Sequence, residues 1–200
     1  MWRATVSAAR GNLDAQRELT AEAEGLAQTA CSANSDILIF GQRWLCEIEA
    51  GETANAVARY DVAIPAGSYE ELGVRMLPGA AMQRVLVGRP DEASAMLDRN
   101  ADALRAMERD SEWLTTLTQI ADICFSLDGH ELATWLYDAL LPFRDQWAVE
   151  GIGAYTHGSV QRHLGQLASI IGRLNDAAAH FDAAIDSNAR AGADLLVART

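Results

Sequence analysis

Apolar residues recur at intervals of three and four along most of the chain. One run is Leu114, Leu117, Ile120, Ala121, Cys124 and Phe125; another is Ala177, Ala178, Phe181, Ala184 and Ile185. Such intervals line up on one face of an α-helix, and no comparable set of alternating strands accompanies them. Between the prolines at 65, 78, 90 and 142 the chain is rich in Ala, Leu, Glu, Asp and Arg. Most of these residues favour helix, because Ala has no side-chain rotamers to lose and the straight chains lose few. The pattern predicts an all-α fold.

Glycines punctuate the helical runs. Gly11, Gly51, Gly88, Gly129 and Gly172 each follow a long apolar pattern, at spacings of 40, 37, 41 and 43 residues. A glycine just past the last turn takes the left-handed conformation that closes a helix at little cost. Arg89-Pro90-Asp91-Glu92 then restarts one, with proline near the first helical position and acids at the positive end. Five residues after the glycine stands Ala56, Ala93 or Ala177, and nine after it Tyr60, Leu97 or Phe181. Twelve after it stands Ala63 or Ala184; in the first and fourth units the alanine comes one place early, at Ala15 and Ala133. Small residues let paired helices approach, and large ones fill the space between pairs. A unit of this kind cannot bury its apolar face alone, so units stack.

The expected array is a single domain over 1–200 with units of about 1–30, 34–64, 69–108, 111–143 and 154–190. The helix pairs are 1–10 with 13–30, 34–50 with 53–64, 69–87 with 90–108, 111–128 with 130–143, and 154–171 with 174–190. Ser68 and Glu71 fit a capping box at the start of the third unit, and Asp110 with Ser111 supply caps for the fourth. The longer connectors are 64–68 and 142–153.

The last unit, with Leu164, Gly165, Ala168, Gly172, Ala177, Phe181 and Ala184, resembles a tetratricopeptide repeat. The resemblance implies a right-handed superhelix of about five pairs with a concave binding face. From about residue 85 onward the chain also resembles the C-terminal helical-repeat region of large actinobacterial signalling regulators. Trp113-Leu114, the run from Trp135 to Pro142, Gly151 with Gly153, Gly158 to Val160, His163 to Gly165, and His180 with Phe181 carry that likeness. In that family the region follows a P-loop ATPase, combined with a LuxR-type helix-turn-helix or a nucleotide-cyclase domain. The resemblance implies a non-catalytic regulatory arm and a chain that is a fragment of a longer one; the scattered Cys31, Cys46 and Cys124 suit buried thiols in a reducing cytoplasm. The other reading is a free-standing adaptor or assembly scaffold.

Charge narrows the partners. Against 28 acidic residues stand 16 cations, all Arg, for a net charge of −12. A surface so negative repels phosphate, which argues against nucleic acid and anionic membranes. A protein segment, a neighbouring domain or a small-molecule effector remains. Cys31, Cys46 and Cys124 are too few and too scattered for a disulfide or zinc framework. No run of apolar residues is long enough to span a bilayer.

Sites for chemistry are thin. The glycines at 151, 153 and 158 end in His157-Gly158-Ser159 where a phosphate loop needs Gly-Lys-Ser/Thr. His130-Glu131 begins a zinc-protease pattern, but residue 134 is Thr. His157 and His163, six apart, face different ways on a continuous helix, about 240° around it. Trp44, Trp113 and Trp135 occupy apolar helix positions and are expected in the core, and the acidic stretches 18–24 and 98–110 on outer faces. No metal and no cofactor is expected. The candidate binding stripe is Ser159, Arg162, Gln166 and Ser169, at spacings of 3, 4 and 3 on one helix face. The equivalent positions one unit earlier include Thr116 and Gln119. Together they make a neutral polar trough in which Arg162 offers a carboxylate a bidentate contact.

Overall fold

Six helix ends in the structure share one backbone solution. At the first, the amide of Gly11 donates to Ala8 O and that of Asn12 to Ser7 O, which satisfies the carbonyls a helix end leaves open. Gly51, Gly88, Gly172 and Gly192 repeat the arrangement, each with positive φ. The fourth unit is displaced by one residue: Asp128 takes the left-handed position at φ +55° and Gly129 follows it. The early alanine of that unit, Ala133, reflects the same displacement.

The computed structural model describes residues 1–30, 33–64, 73–151 and 153–200. Cys31, the capping box of Ser68 and Glu71, and nearly all of the 64–68 connector lie outside the described residues. Among the described residues the chain is mostly helical. The α-helices are α1 (Trp2–Ala9), α2 (Leu13–Ala30), α3 (Ala33–Glu49), α4 (Thr53–Ala63), α5 (Leu77–Leu86) and α6 (Pro90–Arg105). They continue as α7 (Trp113–Ser126), α8 (Ala133–Leu140), α9 (Val160–Ile170), α10 (Leu174–Arg190) and α11 (Asp194–Ala198). Among the described residues no helix is long and apolar enough to cross a membrane.

Consecutive helices fold back on one another in pairs, and of the repeating small residues Ala56, Ala93, Ala133, Ala177 and Ala184 are buried, whereas Ala15 is half-buried and Ala63 exposed. At Gly165 the ring of Phe181 comes within 2.7 Å of where a Cβ would stand, so only glycine fits. Leu117, Ile120, Leu136, Leu140, Leu164 and Leu167 are fully buried in the main core, each contributing about 1.5–3 kcal/mol of burial.

Proline explains two boundaries that differ from expectation. The first helix of the third unit does not run from 69: a 3-10 turn at Val74–Met76 leads into α5, with Pro78 in its first turn. Proline there costs nothing, but deeper in a helix it would break the ladder. Likewise α8 stops at Leu140, and Pro142 sits in the 3-10 turn Leu141–Phe143.

The larger departure lies at 147–159. The segment expected to be connector and helix start is a β-hairpin: β1 (Trp147–Glu150) pairs antiparallel with β2 (Tyr155–Ser159). The register runs Trp147↔Ser159, Ala148↔Gly158, Val149↔Thr156 and Glu150↔Tyr155. His157 has no partner in that register, so it is the bulged residue. The whole of β2 is buried.

The hairpin fills the middle of the array and touches α1, α7, α9 and α10. Thr5 Oγ1 lies 2.7 Å from Gly153 O and 2.8 Å from Ala154 O, and Gln42 Nε2 donates to Ala154 O at 2.7 Å. Around it the helices close a circuit, because α11 packs against α1.

Candidate functional site

Helices α3, α5 and α7 and the end of β1 leave a cavity of about 290 Å³ between them. One wall is aromatic. Phe40 and Trp44 stack at 6.4 Å between centroids, and Tyr60 of α4 meets Trp44 at 5.4 Å and Phe40 at 6.1 Å. All three rings line the cavity. Trp44 Nε1 and the Tyr60 hydroxyl are buried and have no hydrogen-bond partner among the described residues. Both residues are more than nine-tenths buried, at 7% and 4% exposure. An unmade hydrogen bond at a buried donor costs about 1–3 kcal/mol, so such groups normally have partners.

The opposite wall is polar. It carries Glu112, Thr115, Thr116 and Gln119 from the start of α7, and Glu150 from β1. Arg75, the one cation among the described residues that line the cavity, is turned to Asp110, with two contacts to that carboxylate. Two glycines within helices leave the space open. A Cβ on Gly41 of α3 would meet nothing within 4 Å, whereas one on Gly79 of α5 would come to 3.2 Å from the Tyr60 ring.

Gln119 also borders a smaller cavity of about 60 Å³, shared with Glu49, Asp122, Tyr155, His157 and Arg199. Here the fold assembles a buried ionic cluster. Arg162 Nη2 lies 2.8 Å from Asp122 and 2.8 Å from His163 Nε2, which is itself 3.5 Å from Asp122. Gln119 Nε2 meets His157 Nε2 at 3.2 Å, and Glu150 stands 3.7 Å from the same nitrogen. Glu49 Oε1 accepts from the Tyr155 hydroxyl at 3.2 Å and from Arg199 Nη1 at 2.5 Å.

Burial sets the protonation of this cluster. It lowers the His163 imidazole to about 4, with the Arg162 charge acting in the same sense and Asp122 opposing. Burial alone would raise the Asp122 carboxyl, but the Arg162 charge, and after it His163, holds it well below the usual carboxylate range. Burial, and then the Glu49 charge, pushes the Tyr155 hydroxyl up, so it remains a donor. Asp122 is thus a paired anion and His163 a neutral ring.

The expected stripe is divided between two roles. Thr116 and Gln119 face the larger cavity. The α9 residues are not among those that line it. Ser159 is the N-cap of α9, accepting from the Gln161 amide at 3.3 Å. Arg162 does hold a carboxylate, but an internal one, Asp122. Gln166 is buried with Oε1 unpartnered, and Ser169 Oγ donates to Gln166 O at 2.7 Å. This face is not an open trough, because the hairpin and α7 cover it. His157 and His163, expected to face apart, border one cluster, because His157 sits on a strand and helical spacing does not apply to it.

Pattern reading placed Trp44 in the core, where it lies, and Tyr60 at a repeat position, and passed over Phe40, Glu112, Glu150 and Asp122. One signal was available for the aromatic wall: Gly41, mid-helix between Phe40 and Trp44, where glycine costs about 1 kcal/mol against alanine. Among the described residues no group of three His, Cys, Asp or Glu is placed to hold a metal ion. No family model, no curated protein and no solved structure matches the chain.

Proposed function

We propose that this chain is a non-catalytic, tetratricopeptide-like effector-binding module. In this reading it is the regulatory arm of a cytoplasmic ATPase-type signalling regulator. The observation that carries the binding function is the cavity between α3, α5 and α7, with its aromatic wall. Ligand sites are typically apolar concavities in which a few polar groups converge. The ionisable groups nearby support binding over catalysis. Asp122 is neutralised by Arg162, and Glu49 is occupied by Tyr155 and Arg199. Neither of these two is left free as an acid or base beside the smaller cavity that they border.

The output follows the contacts. An occupant touching Gln119 and Glu150 bears on His157, and through the neighbouring cluster on α9 and on Arg199 beyond α11. An effector that fits one arrangement of these elements better than another shifts the population between them. The link to a regulator rests on the likeness of residues 85–200 to that family.

Filling the cavity tests the reading. Gly41→Leu places a side chain into the open space and removes a helix-interior glycine. The variant is expected to be about 1 kcal/mol more stable and to lose binding of every compound that raises the melting temperature of the parent protein in a fragment screen. Compounds that bind both proteins equally, or none that binds the parent, would count against a ligand site here.

A further inference from the structure

The geometry points to a compact organic ammonium ion as the occupant of the α3–α5–α7 cavity. This rests on the binding reading above and names the ligand class for the same site. Three features converge on it: charge, aromatic surface and volume.

Charge comes first. Glu112 and Glu150 line the cavity, and the cation that lines it with them, Arg75, is taken by Asp110. With Arg75 paired to Asp110, Glu112 and Glu150 leave the described lining acidic, within a chain of net charge −12. An anionic ligand is repelled, and a cation is drawn in.

Next come the three rings. Phe40, Trp44 and Tyr60 present aromatic surface to the same space. The negative face of an aromatic ring attracts an ammonium group, by about 0.5–2 kcal/mol as desolvation increases. Volume completes the description. At about 290 Å³ the cavity sits at the low end for ligand sites and suits one small molecule better than a peptide stretch.

The test is a matched pair of probes. Trimethyl(2-phenoxyethyl)ammonium carries the charge and an ether oxygen; 3,3-dimethylbutyl phenyl ether has the same shape without the charge. Calorimetric titration is expected to give one site, with the ammonium ion bound about tenfold tighter or more. Glu112→Gln and Glu150→Gln are expected each to reduce that advantage severalfold while leaving the ether unaffected. Equal or tighter binding of the neutral ether would overturn the assignment of a cation and leave the cavity a ligand site. Binding of neither probe would also overturn it, and the Gly41→Leu comparison would still decide the binding reading by itself.

Discussion

His163 is fully buried, and its imidazole shares one small space with Arg162 and Asp122. Its pKa is lowered from 6.5 to about 4 in the folded protein. Between those values the unfolded chain takes up a proton that the folded chain refuses. Stability therefore falls as the pH falls through that window, by up to about 3 kcal/mol. Asp122 acts at the acid end. Its carboxyl is depressed, so its contribution is present above the ordinary carboxylate pKa and is lost as the pH falls further, toward its folded value. Urea denaturation at a series of pH values separates the two. His163→Gln is expected to flatten the limb between pH 6.5 and 4 and to keep the more acid one. A variant with the parent slope across that window would assign the titration to another group.

At the scale of elements, the end of α7 is the exception among the helix stops. Asp128 holds the left-handed conformation that glycine holds at the other five. That conformation costs a residue with a Cβ about 1–2 kcal/mol. Asp128→Gly is expected to stabilise the protein by about 1 kcal/mol and to raise its melting temperature by about 2–4 °C. A fall on substitution would mean that the aspartate side chain supports the turn. The helix stops at Gly11, Gly51, Gly88 and Gly172 were legible in the chain, because a left-handed stop depends on local backbone and favours one residue type; the fourth unit's stop was read at Gly129, one residue late, and the one at Gly192 was not read. The hairpin was not read. Trp147, Val149, Tyr155 and Thr156, flanked by Gly151 and Gly153, are strand formers around a turn. Yet the same stretch leads straight into the helical run of Val160, Leu164 and Leu167, and the bulge at His157 hides the alternation. The cavity stayed illegible for a further reason. Trp44 and Tyr60 occupy apolar helix positions whether their rings meet a neighbour or a space. Only the gap between α3, α5 and α7 decides which, and that gap belongs to tertiary structure.

The whole molecule is closed where the repeat pattern implied an open array. In a linear stack each unit contacts its neighbours alone, and the terminal helices are the first to open. Here α1 packs on α2, on β2 and on α11, so neither end of the described chain is free. Amide exchange is expected to show it. The most protected amides of α1 are predicted to exchange through the same opening as those of α7, with equal free energies of opening and equal sensitivity to denaturant. Rapid exchange throughout α1 would show that the closure is weak.

The hairpin at the centre also orders the events of synthesis. Thr5 and Gln42 are made early, and the carbonyls of Gly153 and Ala154 that they hold arrive only after more than a hundred further residues. Helices emerging from a ribosome can pair locally at once, but their inward faces wait for that late segment. Contacts so distant in sequence are slow to form. Through most of its synthesis the growing chain therefore presents an unfilled middle, and its first helices stay exposed to whatever holds nascent polypeptides until the last third is complete.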